Sequence, residues 1–478
     1  MGDKGTDTRG FLRCWAAGVC SALLILLFNG PLFDAQVEVF SWTRDLSTVV
    51  DTGLLLALLA AARYRPRLIR PRAFTAVALA CAVLSGILMW PGGAPPSVVA
   101  VVGGTALTGA VDIWGIVLWL LACGSLGMRQ ACLCLASAGA VAVAIAFFLN
   151  GFASLAVLAA TAAVCECAVL LLCQPLALPV LERARSMEAP SELEVLHPQA
   201  FLPLSHTFYV QIFAFSAAFG FALRCGAVEN PSMVAVLSFF AFGAVLAYAA
   251  ARGARLRVDP LFVASFAVIA LGLMLVLLNA PALGAFATSL PVAGYMVFNM
   301  LVWLALIAAA SRNAVDAVPT VCWGTAVSYL GICAGVGLWL AAVELAGPLL
   351  GDPALAQGLA TVVLLGALVL YVVATRRSFD LDVAIEGIAP DPELPPVEVR
   401  YVDRLEQGCA QLAQEAALTA RETQALGLLA RGLSTARIEE ELGIGRNTVK
   451  YHVKNVYAKL GVHSQQELIE RVGRDEWR

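Results

Sequence analysis

Charge is scarce in this sequence. Only 14% of its 478 residues are Asp, Glu, Lys or Arg, against about 25% in soluble proteins, and the mean hydropathy is +0.82. The shortage is local: residues 1–375 hold 17 basic and 17 acidic side chains, whereas residues 376–478 hold 14 and 17 in little more than a quarter of that length. The first part has the composition of a bilayer protein and the second that of a water-soluble one. A single soluble globule, a disulfide-stapled scaffold and a disordered chain are therefore excluded. Histidine is scarcer still. His197, His206, His452 and His463 form no metal-ligand constellation, and no phosphate-cradling loop is present. No metal or cofactor is expected, and the chain is not expected to be an enzyme.

Cysteine is not scarce, and twelve of the thirteen lie in the apolar part, singly or as Cys132/Cys134 and Cys165/Cys167. Positions two apart on a helix point away from each other, so these are expected to be small buried thiols.

Apolar runs of about 20 residues cross a hydrocarbon core about 30 Å thick. Such runs recur near 12–32, 45–62, 73–90, 98–121, 131–149, 152–173, 206–226, 231–250, 260–279, 290–310, 319–342 and 355–375, so twelve transmembrane helices are expected. The first is expected to stay on the chain, because its run is too long for a signal peptide and lacks a small-residue cleavage site. Basic residues give an independent check. With the N-terminus inside, seventeen fall on the inner side, among them Arg63, Arg65, Arg67, Arg70, Arg72, Arg376 and Arg377, and only Arg44 and Arg224 fall outside. That is the positive-inside bias. It predicts a multi-pass protein of the bacterial inner (cytoplasmic) membrane, with both termini cytoplasmic.

The longest inner break, 174–205, follows the sixth span and divides the bundle six plus six. This layout resembles the major facilitator superfamily, which implies two six-helix halves facing a central cavity. That family carries a Gly-Asp-Arg signature after its second span. Here the loop reads Arg63-Tyr-Arg-Pro-Arg-Leu-Ile-Arg-Pro-Arg72, and the equivalent loop reads Ala251-Arg-Gly-Ala-Arg-Leu-Arg257. Neither matches, which counts against active transport. Ionisable residues inside spans cost about 2.5–3.5 kcal/mol each at mid-bilayer, and Asp112 and Glu166 are so placed. Two readings stand: a wet cavity in which they meet an unknown small-molecule ligand, proton or ion, or carboxyls that are neutral or hydrogen-bonded between helices.

Residues 376–398 are acidic, carry Pro390, Pro392, Pro395 and Pro396, and read as a solvated linker. Residues 399–416 read as a coupling helix, with Val402, Leu405, Cys409, Leu412 and Ala416 stepping by three and four. That stripe either packs on the domain that follows or pairs between two chains.

The final domain, 417–478, is expected to hold four helices. Thr419-Ala-Arg-Glu422 is a capping box opening the first. Ser434 caps the second, Gly443 makes a turn, and the third runs from Arg446 to Leu460 before Gly461. Ser464-Gln-Gln-Glu467 is a second capping box, opening a fourth. On the third helix Val449, Val453, Val456 and Leu460 form a buried stripe. Asn447, Lys450, Tyr451 and Lys454 lie opposite, with Lys459 further on. Such a helix has the dimensions to enter a major groove.

The segments Leu418-Thr-Ala-Arg-Glu422, Leu429-Ala-Arg-Gly-Leu-Ser-Thr435 and Thr448-Val-Lys-Tyr-His-Val-Lys-Asn-Val-Tyr-Ala-Lys-Leu-Gly461 closely resemble the LuxR-type (GerE-like) helix-turn-helix domain. The resemblance implies an all-α domain whose third helix reads double-stranded promoter DNA. It points Lys450, Tyr451 and Lys454 toward bases and Thr448 toward phosphates, with Asn447, Arg446, Asn455, His452 and Ser434 as further DNA contacts. Gly445 stands where the family usually caps with Ser, a change costing a few tenths of a kcal/mol. Residues 418–478 carry 10 basic and 8 acidic side chains, so one copy should bind DNA weakly and a homodimer on paired half-sites is expected. The family often docks through its fourth helix, which makes Leu468–Val472 a candidate contact.

The whole reads as an all-α protein: a twelve-helix, major-facilitator-like transmembrane bundle followed by a four-helix LuxR-type domain. The expected function is that of a membrane-embedded one-component transcriptional regulator. The alternative is a transporter with an attached regulatory DNA-binding domain.

Overall fold

The computed structural model describes residues 8–28, 30–90, 96–186, 207–225, 231–252, 258–278, 283–312, 317–375, 408–433 and 435–474. The linker 376–398, Val402, Leu405, Ser434 and much of the 174–205 break lie outside them. Among the described residues there is no strand. Two compact units divide the chain, the first running through the apolar part and the second holding 389–478.

The first unit contains α1 (Thr8–Phe28), a short α2 (Pro31–Val37), α3 (Thr43–Tyr64), α4 (Pro71–Met89), α5 (Val98–Cys123), α6 (Met128–Phe152) and α7 (Leu155–Ser186). There follow α8 (Thr207–Arg224), α9 (Pro231–Arg252), α10 (Asp259–Leu277), α11 (Gly284–Arg312), α12 (Ala317–Leu340), a short α13 (Gly347–Leu350) and α14 (Pro353–Thr375). Among the described residues eleven helices are long and apolar enough to cross a membrane, and α8 is a shorter apolar helix in the place of the expected seventh span. This is a multi-pass membrane protein.

Boundaries shift where local chemistry dictates. Pro31 starts a separate helix just beyond the first span, and the eleventh run continues past the expected end at 342 through a π-turn, Ala341–Ala346, into α13. Pro71 opens α4 in the first turn, where its missing N–H has no helical partner to lose. Ser97 caps α5 by accepting from the Ala100 N–H at 3.2 Å. Hydroxyls inside the apolar helices donate to the preceding turn, as Thr52 does to Thr48 O and Thr105 to Val101 O. The hydroxyl hydrogens of Thr52 and Thr105 are then not left facing hydrocarbon.

The helix pairings repeat with a six-span offset. The α1–α6 contact recurs as α8–α12, α4–α5 as α10–α11, and α3–α5 as α9–α11; the halves meet through α3–α12 and α6–α9, which the same offset exchanges. The first five spans of each half share one plan; the last ones differ, α7 packing on α1, α4 and α5 whereas α14 packs mainly on the π-turn and α13. The α8–α12 crossing is backbone on backbone. A Cβ at Gly335 would collide with the carbonyl oxygen of Ala217, and one at Gly220 with that of Ile332, the close approach that small residues permit where no water drives association.

The second unit holds α15 (408–415), α16 (Ala420–Ala430), α17 (Thr435–Leu442), α18 (Arg446–Leu460) and α19 (Gln465–Arg474). Cys409, Leu412 and Ala413 of α15 are buried in one core with Leu426, Leu429, Ile438, Val449, Val456, Leu468 and Val472. The described part of the coupling stripe is therefore spent on the domain that follows.

Candidate DNA-reading helix and membrane cavity

The helix-turn-helix is built on turns that need glycine. Gly432 (φ +79) ends α16, Gly443 (φ +61) turns the chain between α17 and α18, and Gly461 (φ +65) closes α18; without a Cβ the left-handed conformation carries no steric penalty. At the start of α16 the Thr419 hydroxyl accepts from Glu422 N at 3.4 Å, while Glu422 accepts from Thr419 N at 2.8 Å, the reciprocal capping box. The box expected at Ser464 is offset by one residue. Ser464 accepts from Glu467 N at 3.2 Å, but Glu467 accepts from His463 N, at 2.7 Å.

Val449, Val456 and Leu460 bury one face of α18, with Val453 packed partly against the same core. Arg446, Asn447, Thr448, Lys450, Tyr451 and Lys454 are exposed on the helix. Tyr451 is 62% exposed, an unusual position for a large ring that serves only packing. Gly445 caps α18 through its backbone alone. Asn455 and His452 are half-buried. His452 turns its Nδ1 into the domain without a hydrogen-bond partner and packs its ring edge-on to Tyr451 at 5.7 Å. The second helix of the motif, α17, is described, but its capping residue Ser434 is outside the described residues.

Two sequence expectations change. Lys459 does not continue the open face: its Nζ donates to Glu422 Oε2 at 2.7 Å and to Ala417 O at 3.3 Å, tying the reader helix to the start of α16. That hydrogen bond, with those of Thr419, holds the buried Glu422 carboxyl down at about 2. Leu468 and Val472 are core residues, Leu468 fully buried, and they cannot be the apolar docking contact of the fourth helix. Arg471, on the same helix, is exposed and its Nη1 donates to Leu460 O at 2.5 Å, closing the end of α18.

In the membrane unit Asp112 and Glu166 line one cavity of about 460 Å³, formed by helices of both halves. Asp51 of α3 lines the same cavity. Asp51 lies against Gly109, one turn from Asp112, and a Cβ at Gly109 would collide with its Oδ1. That oxygen is buried with no hydrogen-bond partner. Three helices of one half, α3, α5 and α7, thus converge three carboxyls. The two basic residues on the minority side of the charge sorting also meet here. Arg224 of α8 is ion-paired with Asp45 of α3, and Arg44 stands over the Phe33 ring at 3.8 Å.

Residues 416–472 match the GerE family, bacterial regulatory proteins of the luxR family. The HTH-type transcriptional regulator MalT of Yersinia pestis is 38% identical over 76 residues, 16% of this chain and 8% of that protein. The probable transcriptional regulatory protein SgaR of Hyphomicrobium methylovorum is 54% identical over 48 residues, 10% of this chain and 23% of that protein. The chain thus spans less than a quarter of the length of either relative. The Major Facilitator Superfamily transporter FucP in its outward conformation aligns with 76% of this chain and 98% of its own, at a TM-score of 0.41 and 12% identity. A second structure of the E. coli fucose:proton symporter FucP aligns at 0.38 and 13%, covering 75% and 98%.

The second unit is a LuxR-type helix-turn-helix domain, a DNA-binding class, and it shares one polypeptide with a multi-pass membrane bundle.

Proposed function

We propose that this chain is a one-component transcriptional regulator of the bacterial cytoplasmic membrane. The bundle takes up a signal, and the helix-turn-helix, held on the cytoplasmic side, binds promoter DNA as a homodimer. The observation that carries this reading is the open face of α18. Lys450, Tyr451 and Lys454 stand exposed on a helix whose opposite side is locked into a core, in a chain with eleven membrane-length helices among its described residues. The inward orientation rests on the basic residues that sort to one side of the bundle. Dimerisation rests on the small positive charge of the domain, which gives one copy few phosphate contacts. On α19 the exposed Arg471 and the half-buried Ile469 are available for pairing; Leu468 and Val472 are not.

Chromatin immunoprecipitation of the full-length protein in its native host tests the reading. Wild type should enrich discrete promoters. Lys450→Ala and Lys454→Ala should lose that enrichment while the protein stays in the membrane fraction, and in vitro each should weaken specific binding by about 1–3 kcal/mol. Enrichment unaltered in both variants would mean that another face reads DNA. A cavity lined by both halves favours a second reading, a regulator that also transports; flux into proteoliposomes that Asp112→Asn abolishes would establish it.

A further inference from the structure

The cavity is unevenly charged. Among the described residues, Arg44 is the one basic side chain lining it, and Asp51, Asp112 and Glu166 are grouped away from that arginine. Arg44 and Asp51 are seven residues apart on α3, so two helical turns, about 10.5 Å, separate them along the axis. Asp45 is already matched to Arg224. Glu166 is 3% exposed, faces the cavity, and makes no hydrogen bond or ion pair among the described residues. A buried carboxylate in that state lacks the counter-charge that low-dielectric surroundings demand.

The rest of the wall is mostly apolar and aromatic, with neutral polar groups such as Thr108, Asn299 and Ser328 set into it. Trp119 lies seven residues beyond Asp112 on α5, hence on the same face. Its ring meets Trp303 of α11 edge-on at 5.3 Å, and both line the cavity. The carboxyls therefore lie between Arg44 on one side and, on the other, ring surface from both halves. A volume of about 460 Å³ suits a small organic molecule.

We infer that the cavity takes an organic cation, a protonated amine seated among Asp51, Asp112 and Glu166 with its apolar body running along α5 toward Trp119 and Trp303. The inference rests on the proposed role of the bundle as the sensing part and names the class of molecule it senses. An amine supplies the missing counter-charge, and the indole faces add attraction for any cationic group that reaches them. A ligand that touches α5, α7 and α11 together bridges the two halves and so can bind two arrangements of them unequally.

Full-length protein in detergent micelles, followed by tryptophan fluorescence, provides the test, with phenylbutylamine, phenylbutanol and phenylbutyrate as cationic, neutral and anionic probes on one scaffold. The amine should bind at least about tenfold more tightly than the alcohol, and phenylbutyrate least tightly. Asp112→Asn and Glu166→Gln should each remove most of that preference. Asp51→Asn is a third variant at an independent position, should either of the others elute as aggregate. Equal binding of amine and alcohol, preference for the acid, no binding of any probe, or a preference untouched by these variants overturns the inference. Reporter transcription separates that failure from failure of the sensing role. If Asp112→Asn still alters transcription while the amine is not preferred, the ligand class is wrong and the sensor stands. If none of the variants alters transcription, the sensing role falls as well.

Discussion

Replacing Lys459 with methionine would keep the aliphatic stem and remove the ammonium that Glu422 accepts at 2.7 Å. A hydrogen bond to a charged group contributes about 1.5–3 kcal/mol, whereas an exposed ion pair contributes about 0.2–1 kcal/mol. The Glu422 side chain is 5% exposed and that of Lys459 is 37%. The pair thus falls between these limits, and the loss should be about 1.5 kcal/mol. For a domain of this size that is roughly 6–12 °C in Tm. Circular-dichroism melts of a 399–478 fragment, which contains the whole of the second core, would measure it. The pH dependence identifies the cause. Glu422 is held at about 2, below its ordinary value of 4.5, so its contribution is fully present above about pH 4.5 and is lost as the pH falls toward 2. The gap between wild type and Lys459→Met should therefore be widest near neutrality and much smaller at about pH 3. Glu422→Gln combined with Lys459→Met should cost less than the two single changes together, because both remove one interaction. A gap that is absent, or that has the same width at both pH values, would refute the charge-assisted tie.

Leu412→Ala should destabilise the same fragment by about 2–5 kcal/mol, since Leu412 is 2% exposed in its core; urea unfolding checks this, and a loss under 1 kcal/mol would mean that α15 merely rests on the domain. In the bundle, Gly335→Val should abolish accumulation of the full-length protein in membranes, because the added carbons meet the backbone of α8. Gly337→Val, on the same helix with nothing within 4 Å of its Cβ position, should accumulate normally. Immunoblots of membrane fractions distinguish the two, and equal levels would contradict the backbone-on-backbone crossing.

Much of this architecture was legible in the chain. Runs of membrane length locate the spanning helices because each must satisfy its own backbone hydrogen bonds in hydrocarbon. Local signals also held: the Thr419–Glu422 box and the turns at Gly443 and Gly461 appear where the residues put them. What failed depends on neighbours distant in sequence. Lys459 sits on the solvent side of a helical wheel, but Glu422, 37 residues earlier, captures it. Leu468 and Val472 carry an amphipathic stripe, and a stripe does not say whether it meets its own domain or a second chain. Asp51 lies on a helix separated from Asp112 by a whole hairpin, and only the packing at Gly109 joins them.

If the chain acts as proposed, its DNA-binding unit stays tethered to the membrane by the spanning helices of the same polypeptide. Each target locus has to come to the bilayer instead, and the search for it becomes one between a lipid-bound protein moving in two dimensions and a chromosome segment approaching from the third. Occupancy then depends on how often a stretch of nucleoid visits the periphery as well as on affinity. Moving the same operator to a part of the chromosome that rarely does so should weaken regulation with every base pair unchanged.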